Sequence, residues 1–89
     1  MTRTELQQLF YIAWLGSQSY LTRPVVEKLE GLGLVQKVKN GYEATQAGMN
    51  ALSPMARVAC RRPKNYSNLT PEEQWDVDKS LGILDWDGL

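Results

Sequence analysis

Residues 29–52 read LEGLGLVQKVKNGYEATQAGMNAL, and this stretch predicts the end of one helix, a tight β-hairpin and the start of another helix. Asn40-Gly41 lies between two strand-like runs and favours a type I′ turn, because both residues tolerate a positive φ. Lys37 and Lys39 alternate along the first run, so we expect both side chains on one face of the hairpin. The stretch therefore predicts a domain that mixes helices with a small sheet.

Helix signals also precede the hairpin. Thr2 and Glu5 form a capping-box pattern, so a first helix is expected from about residue 3 to Leu15, where a glycine ends it. A second helix is expected over residues 22–32, capped by Thr22 and with a proline in its first turn, where a missing N–H costs little. Helical spacing predicts that these two helices bury Leu6, Leu9, Phe10, Ala13, Val25, Val26, Leu29 and Leu32.

Further helix signals follow the hairpin. Thr45 has the side-chain oxygen that caps a helix, which is expected over residues 46–52. Ser53-Pro54 then either kinks this helix or caps a fresh turn over residues 54–62. Both alternatives leave the segment after the hairpin helical.

The C-terminal part of the chain is acidic and has a strong helix start. Residues 64–68 have the composition of a linker. Thr70 and Glu73 then form a second capping box, with a proline at the first helical position. The chain is therefore expected to divide into a body over residues 1–63 and a linker plus acidic helical segment over residues 64–89.

The predicted element order, α-α-β-β-α, defines a small α+β domain followed by a helical, acidic C-terminal segment. The motifs LGLV before the hairpin and GYEATQAG after it resemble the wing region of winged-helix domains such as the MarR and PadR-like regulators. The resemblance covers about residues 4–53. It implies a winged-helix fold with the hairpin as the wing, and it implies DNA binding, although winged helices bind proteins as well.

The residue types present exclude most catalytic chemistry. The chain has no histidine and a single cysteine, Cys60, which removes histidine-based acid–base catalysis, Ser-His and Cys-His pairs and the common zinc sites. We therefore expect no enzyme activity, no cofactor and no metal. No apolar run reaches the roughly 18 residues of a membrane span, and the N-terminus lacks a signal-peptide pattern, so a cytoplasmic protein is expected.

The net charge of zero hides an uneven distribution. Residues 1–65 contain nine Lys/Arg and four Asp/Glu, a net charge of +5, whereas residues 66–89 contain one Lys and six Asp/Glu, a net charge of −5. Such a split is typical of a nucleic-acid-facing body with an acidic tail. It is equally compatible with two halves that pack against each other.

Basic residues supply the candidate DNA contacts. They are Arg23, Lys28, Lys37, Lys39, Arg57, Arg61 and Arg62. The resemblance assigns the first four of these to the recognition helix and the wing. Arg57 and Arg61 are four residues apart and are expected on one helical face. Phosphate contacts by such residues give binding that weakens steeply with salt, whereas the alternative is a solvated surface.

Two features argue against sequence-specific recognition of DNA by the second helix. The outward face of the second helix carries Glu27 and Glu30 beside Arg23, and carboxylates repel phosphates, although glutamate can accept from a cytosine amino group. Only residues 16–21 separate the first two helices, too few for the middle helix of the usual helix-turn-helix. Either the winged helix is shortened, or the helix boundaries lie several residues from those predicted.

Apolar residues outside the predicted core supply a candidate protein interface. The first helix is apolar on nearly all sides, so Tyr11, Trp14 and Leu15 are expected either to form a dimer interface or to be covered by the C-terminal helix. In the tail, Trp75 and Trp86 are candidate anchors for a partner, with nearby carboxylates as steering charges. Alternatively, the tail packs on the body, or it covers the basic cluster and mimics phosphate.

Two functions therefore remain open. The first is a non-enzymatic DNA-binding protein of the small regulator type, in which twofold pairing presents two wings to one DNA duplex. The second is a protein-interaction module, an adaptor or inhibitor, that uses the winged-helix scaffold and the Trp/Asp-rich tail. A short, neutral chain with a truncated common fold is typical of phage and mobile-element proteins, which would suit the second function.

Overall fold

The computed structural model describes residues 1–16 and 22–83. Within them the chain forms five α-helices, one two-stranded antiparallel sheet and one short 3₁₀ helix. In chain order these elements are α1 (Arg3–Leu15), α2 (Arg23–Gly31), β1 (Val35–Val38), β2 (Gly41–Ala44), α3 (Gln46–Ala51), α4 (Pro54–Ala59), the 3₁₀ helix (Tyr66–Asn68) and α5 (Pro71–Leu81). The predicted α+β class is confirmed at this level, as a small mixed domain with one hairpin.

The helix starts follow local signals in the sequence. The Thr2 hydroxyl accepts a hydrogen bond from the Glu5 backbone N–H at 3.2 Å, and the Glu5 carboxylate accepts one from the Thr2 N–H at 3.3 Å. Thr70 and Glu73 form the same reciprocal pair at the start of α5. Thr45 caps α3 as predicted. These starts are confirmed because each depends on contacts within four consecutive residues.

Other helix boundaries differ from the predictions. Thr22 precedes α2 as predicted, but its side chain forms no capping hydrogen bond. Of the two alternatives after α3, the structure has the fresh helix, since the Ser53 hydroxyl accepts a hydrogen bond from the Ala56 N–H at 3.1 Å. This helix, α4, ends at Ala59 rather than at residue 62.

The hairpin forms as predicted, but its turn lies one residue earlier. Val38 pairs with Gly41, so the connecting residues are Lys39 and Asn40. Among the described residues only glycines have a positive φ, which excludes a type I′ turn, and Gly41 has a φ of 147°. Gly41 is the fourth residue of the turn, the position at which type I turns favour glycine. As a result Lys39 lies at the hairpin tip. The prediction that it lies beside Lys37 on one face of a strand is wrong.

The core is centred on α1, which contacts α2, β2, α3 and α4. Leu9 and Phe10 are buried as predicted. Ile12, absent from the predicted buried set, is 1% exposed, because other elements pack on α1 from more than one side. Leu32, predicted to be buried, is 55% exposed, although its N–H still bonds to the Lys28 carbonyl.

The C-terminal segment packs on the body. Ile83, just beyond α5, is 3% exposed and belongs to the main core cluster. Residues 64–68, expected to be a linker, include the whole 3₁₀ helix, whose Tyr66 contacts Trp14 of α1. Of the three roles considered for the tail, packing on the body therefore applies to its residues up to Ile83, and docking of a partner through the tail stays a prediction.

Candidate nucleic-acid interface

A groove between α2 and the hairpin brings some of the predicted contact residues together. α2 packs against β1, and the groove beside them has a volume of about 520 Å³. Its lining residues are Arg23, Val26, Glu27, Glu30, Lys37 and Tyr42. Of the predicted phosphate contacts, Arg23 and Lys37 therefore share one surface feature.

The α2 side of the groove carries charges of both signs. Arg23 Nε lies 3.1 Å from Glu27 Oε1, and both side chains are exposed. An exposed pair of this spacing contributes only about 0.3–0.5 kcal/mol, so the guanidinium can exchange this carboxylate for a phosphate at little cost. Glu30 is a second exposed carboxylate in the same groove. These two acids limit how closely a phosphate backbone can approach α2.

The hairpin side of the groove is basic and aromatic. Lys37 stands opposite Tyr42 in the antiparallel register, and both line the groove. Lys39 is exposed at the hairpin tip. Tyr42 is missing from the predicted site residues. The sequence could have indicated Tyr42 through its place opposite Lys37 on the neighbouring strand, but this pairing can be assigned only once the correct turn is known.

Lys28 is not among the groove-lining residues and pairs with α1 instead. Its Nζ lies 3.2 Å from Glu5 Oε1. Glu5 is 5% exposed, and its second oxygen, Oε2, has no hydrogen-bond partner among the described residues. Hydrogen bonds from the Thr2 hydroxyl and backbone N–H, together with the nearby ammonium, hold the pKa of Glu5 below its ordinary value. The ion pair therefore ties α2 to α1.

The basic residues after α3 have two different environments. Arg57 and Arg61 are exposed, and neither forms an ion pair with a described residue. Because α4 ends at Ala59, Arg57 lies on the helix and Arg61 in the turn that directly follows it, where its N–H still bonds to the Val58 carbonyl. Arg62 donates from Nε and Nη2 to the two carboxylate oxygens of Asp78, at 2.9 and 3.0 Å. It is therefore engaged within the fold.

An aromatic and charged cluster covers one side of α1. Trp14 Nε1 donates a hydrogen bond to the Arg62 carbonyl at 2.8 Å, and the indole meets the Tyr66 ring in a T-shaped arrangement with centroids 6.3 Å apart. The Arg62 guanidinium lies 4.3 Å from the centroid of the Tyr66 ring. Burial, followed by a hydrogen bond to Asp78, raises the pKa of Tyr66. Nothing in the local sequence indicated that Tyr66 packs between Trp14 and the Arg62 side chain.

The α1 residues predicted to form a dimer interface are half-buried. The Tyr11 and Trp14 rings stack with centroids 6.3 Å apart, and both pack against the core cluster. Leu15 is also half-buried. The segment after α4 covers part of this surface, through Tyr66. Dimer formation through α1 stays a prediction.

Trp75 is the most exposed aromatic residue in the described part of the chain. Its side chain is 58% exposed on α5, and the Lys79 ammonium lies 4.9 Å from the centroid of its ring. A shallow depression beside it is lined by Pro71, Glu72, Trp75 and Asp76. Trp86, the second predicted anchor, lies outside the described residues. An exposed indole among carboxylates is a binding feature of a different kind from the groove.

The chemistry available to these surfaces is electrostatic and aromatic binding. Burial raises the pKa of the Cys60 thiol to about 11, so the thiol stays protonated near neutral pH. No group of three His, Cys, Asp or Glu side chains in the described ranges could hold a metal ion. Across the same ranges, no helix has the length and apolar character needed to cross a membrane.

Known proteins provide no relative from which a function could be transferred: the chain matches no family model, no curated protein and no solved structure. Function is therefore inferred from three features of the molecule. They are the groove between α2 and the hairpin, the exposed cations, and the exposed indole of Trp75.

Proposed function

We propose that this protein is a small, non-enzymatic DNA-binding protein of the winged-helix type, with the hairpin as its wing and α2 beside the duplex. The observation that carries the proposal is the packing of the hairpin against α2, with Arg23 and Lys37 on one groove and Lys39 exposed at the hairpin tip. Cations at these positions neutralise phosphates, and the release of counterions then favours binding.

The proposed contact set is narrower than the number of basic residues suggests. Arg23, Lys37 and Lys39 form its centre. Lys28 and Arg62 are left out, because Lys28 pairs with Glu5 of α1 and Arg62 pairs with Asp78 of α5. A twofold arrangement of two copies would present two hairpins to one duplex.

A second candidate function is that of a protein-interaction module. It is favoured by Trp75, because an exposed indole is a frequent anchor in protein interfaces. It is also favoured by Glu27 and Glu30, which repel phosphates from the α2 side of the groove. In this case a protein partner, and not DNA, occupies the exposed surfaces.

A salt titration of binding between the full-length protein and a labelled random DNA duplex tests the first function. The logarithm of the affinity should fall linearly with the logarithm of the salt concentration, with a slope of about −0.9 for each phosphate contacted. An absence of binding even at low salt would contradict the proposal and favour the protein-interaction module.

Charge reversal in the wing makes this test specific. Lys37→Glu combined with Lys39→Glu should weaken DNA binding and reduce the salt slope by about 2, since each lysine is proposed to contact one phosphate. Arg3→Glu combined with Lys64→Glu is the matched control, because it changes the net charge equally at two exposed positions that do not line the groove. Equal losses in the two variants would indicate attraction to overall charge and contradict a wing contact.

A further inference from the structure

α5 has two faces of different character. The partly buried side chains on the face toward the body are Gln74, Val77, Asp78 and Leu81. The exposed side chains that share the opposite face at helical spacing are Glu72, Trp75, Asp76 and Lys79. Trp75 therefore lies in the middle of the solvent-facing side of α5, where packing among the described residues does not require an aromatic residue.

Glu72, Trp75 and Asp76 form an acidic aromatic patch on this face. They line one shallow depression together with Pro71. Lys79, one helical turn further on, already holds its ammonium 4.9 Å from the centroid of the indole. Guanidinium groups suit such a patch particularly well, since they stack on an indole and pair with carboxylates at the same time.

Guanidinium groups of the required kind lie on a neighbouring segment of the same chain. Arg57 and Arg61, the basic pair, are exposed and form no ion pair with a described residue. α4 packs against α5, and the ion pair between Arg62 and Asp78 joins the two segments. The acidic aromatic patch and the basic pair therefore belong to adjacent parts of the molecule.

We propose that a second copy of this chain docks here, with the acidic aromatic patch of each copy on the basic pair of the other. A twofold axis beside these two surfaces makes the contact between patch and basic pair occur twice, once in each direction, as a closed dimer requires. The zero net charge means that two copies do not repel each other as whole molecules. α1 is less suited to this role, because Trp14 already donates its indole N–H to the Arg62 carbonyl.

Sedimentation equilibrium of the full-length protein over a range of concentrations, without DNA, tests for this dimer. Trp75→Ala is expected to raise the dimer dissociation constant at least about tenfold, as the loss of an aromatic anchor does. Added salt should also weaken the dimer, because the charges that meet are solvent-exposed in the monomer. A monomer at every concentration would overturn the proposal.

A charge exchange between copies identifies the surface. The variant Glu72→Lys with Asp76→Lys and the variant Arg57→Glu with Arg61→Glu should each be monomeric alone, because like charges then face each other. An equimolar mixture should dimerise again, since the reversed patch of one variant meets the reversed basic pair of the other. Recovery in the mixture also demonstrates that both variants are folded.

Glu30→Lys with Glu43→Lys is the matched control, because it reverses two exposed carboxylates that do not belong to α5 and should leave the dimer unchanged. A dimer that survives Trp75→Ala and both charge-reversed variants would overturn the proposal and point to α1, which Leu15→Glu would then disrupt. Reversal of the two wing lysines should leave the dimer intact. Loss of DNA binding and loss of the dimer are therefore separable results.

Discussion

At the scale of single residues, one missing methyl group sets how closely α3 approaches the chain ahead of the hairpin. Gly48 is buried in α3, and a Cβ atom there would clash with the Leu34 carbonyl oxygen and lie 3.2 Å from Leu9 Cδ1. The first of these atoms is backbone and cannot swing aside. A glycine at this position therefore allows the helix and the backbone before β1 to meet.

Gly48→Ala is expected to lower the free energy of unfolding by about 3 kcal/mol or more, because overpacking at a backbone atom forces the elements apart. Urea denaturation followed by circular dichroism measures this loss. Gly31→Ala is the matched control, since nothing lies within 4 Å of its Cβ position in the last turn of α2. The control should change stability by less than about 1 kcal/mol. Similar losses in both variants would contradict the steric explanation.

Two adjacent arginines show that residue type alone does not predict which basic side chains are available at the surface. Arg61 and Arg62 were both assigned to phosphate contact from the sequence, yet only Arg61 is exposed and without an ion pair among the described residues. Arg62 pairs with Asp78, which lies 16 positions further along the chain. Neither spacing nor composition could distinguish the two, because the difference arises only when α5 packs on the body.

At the scale of elements, α5 carries the signals for its own start and stop. The Thr70 hydroxyl accepts a hydrogen bond from the Glu73 N–H at 3.3 Å, and the Glu73 carboxylate accepts one from the Thr70 N–H at 3.1 Å. The hydrogen bond from the Thr70 N–H, followed by the interaction of the carboxylate with the Thr70 hydroxyl, lowers the pKa of Glu73. Gly82 ends the helix with a φ of 82°, in the left-handed region that favours glycine. The helix is therefore defined by local sequence, while its position is not.

Thr70→Ala is expected to lower the free energy of unfolding by about 1 kcal/mol at neutral pH, through loss of the cap. Because the pKa of Glu73 is lower in the folded state, its ionised form stabilises the fold above the ordinary glutamate pKa, and this contribution is lost as the pH falls through the folded value. The difference between wild type and variant should therefore shrink in acid. Urea unfolding at neutral pH and in acid measures it.

Ser80→Ala is the control for this prediction, because Ser80 is an exposed hydroxyl residue of the same helix and lies away from the cap. It should produce neither the loss at neutral pH nor the dependence on pH. A Thr70→Ala difference that stayed constant from neutral to acidic pH would mean that the Thr70 hydroxyl does not act on the Glu73 carboxylate.

At the scale of the whole molecule, a polar cluster and an apolar anchor hold the acidic segment against the basic body. Asp78 receives the bidentate pair from Arg62 and a hydrogen bond from the Tyr66 hydroxyl at 2.8 Å. The side chains of Arg62 and Asp78 are 13% and 20% exposed, so solvent screens their attraction less than that of a surface pair. Ile83 is buried beyond the end of α5. The two oppositely charged parts of the chain therefore form one packed unit.

Asp78→Asn is expected to lower the free energy of unfolding by about 1–3 kcal/mol, because it leaves the half-buried guanidinium of Arg62 without its charged partner. Denaturant unfolding measures the loss, and hydrogen exchange should accelerate for the amides of α5. Glu27→Gln is the matched control, because it removes an exposed ion pair and should cost less than about 0.5 kcal/mol. Equal effects of the two substitutions would show that the Arg62–Asp78 pair does not fasten α5.

Short-range patterns by themselves determined the elements of this protein. The capping boxes at Thr2 and Thr70, the cap at Thr45 and the existence of the hairpin were all predictable, because each depends on groups a few positions apart in the chain. The cap at Ser53 was one of two alternatives that the sequence left open. The α+β class follows from those elements. Even within the hairpin, however, the turn lay one residue earlier than predicted and each strand pairing therefore shifted by two residues, since Asn-Gly can either form a turn or end one.

Only the tertiary structure decided which elements meet and which side chains they use. Trp14 bonds to the Arg62 carbonyl across 48 positions, and the true strand register puts Tyr42 opposite Lys37 on the groove. The same packing withdraws Arg62 from the surface and leaves Trp75 exposed on it. The physical reason is separation along the chain. A cap or a turn depends on groups a few residues apart, whereas burial and ion pairing depend on how all the elements pack together.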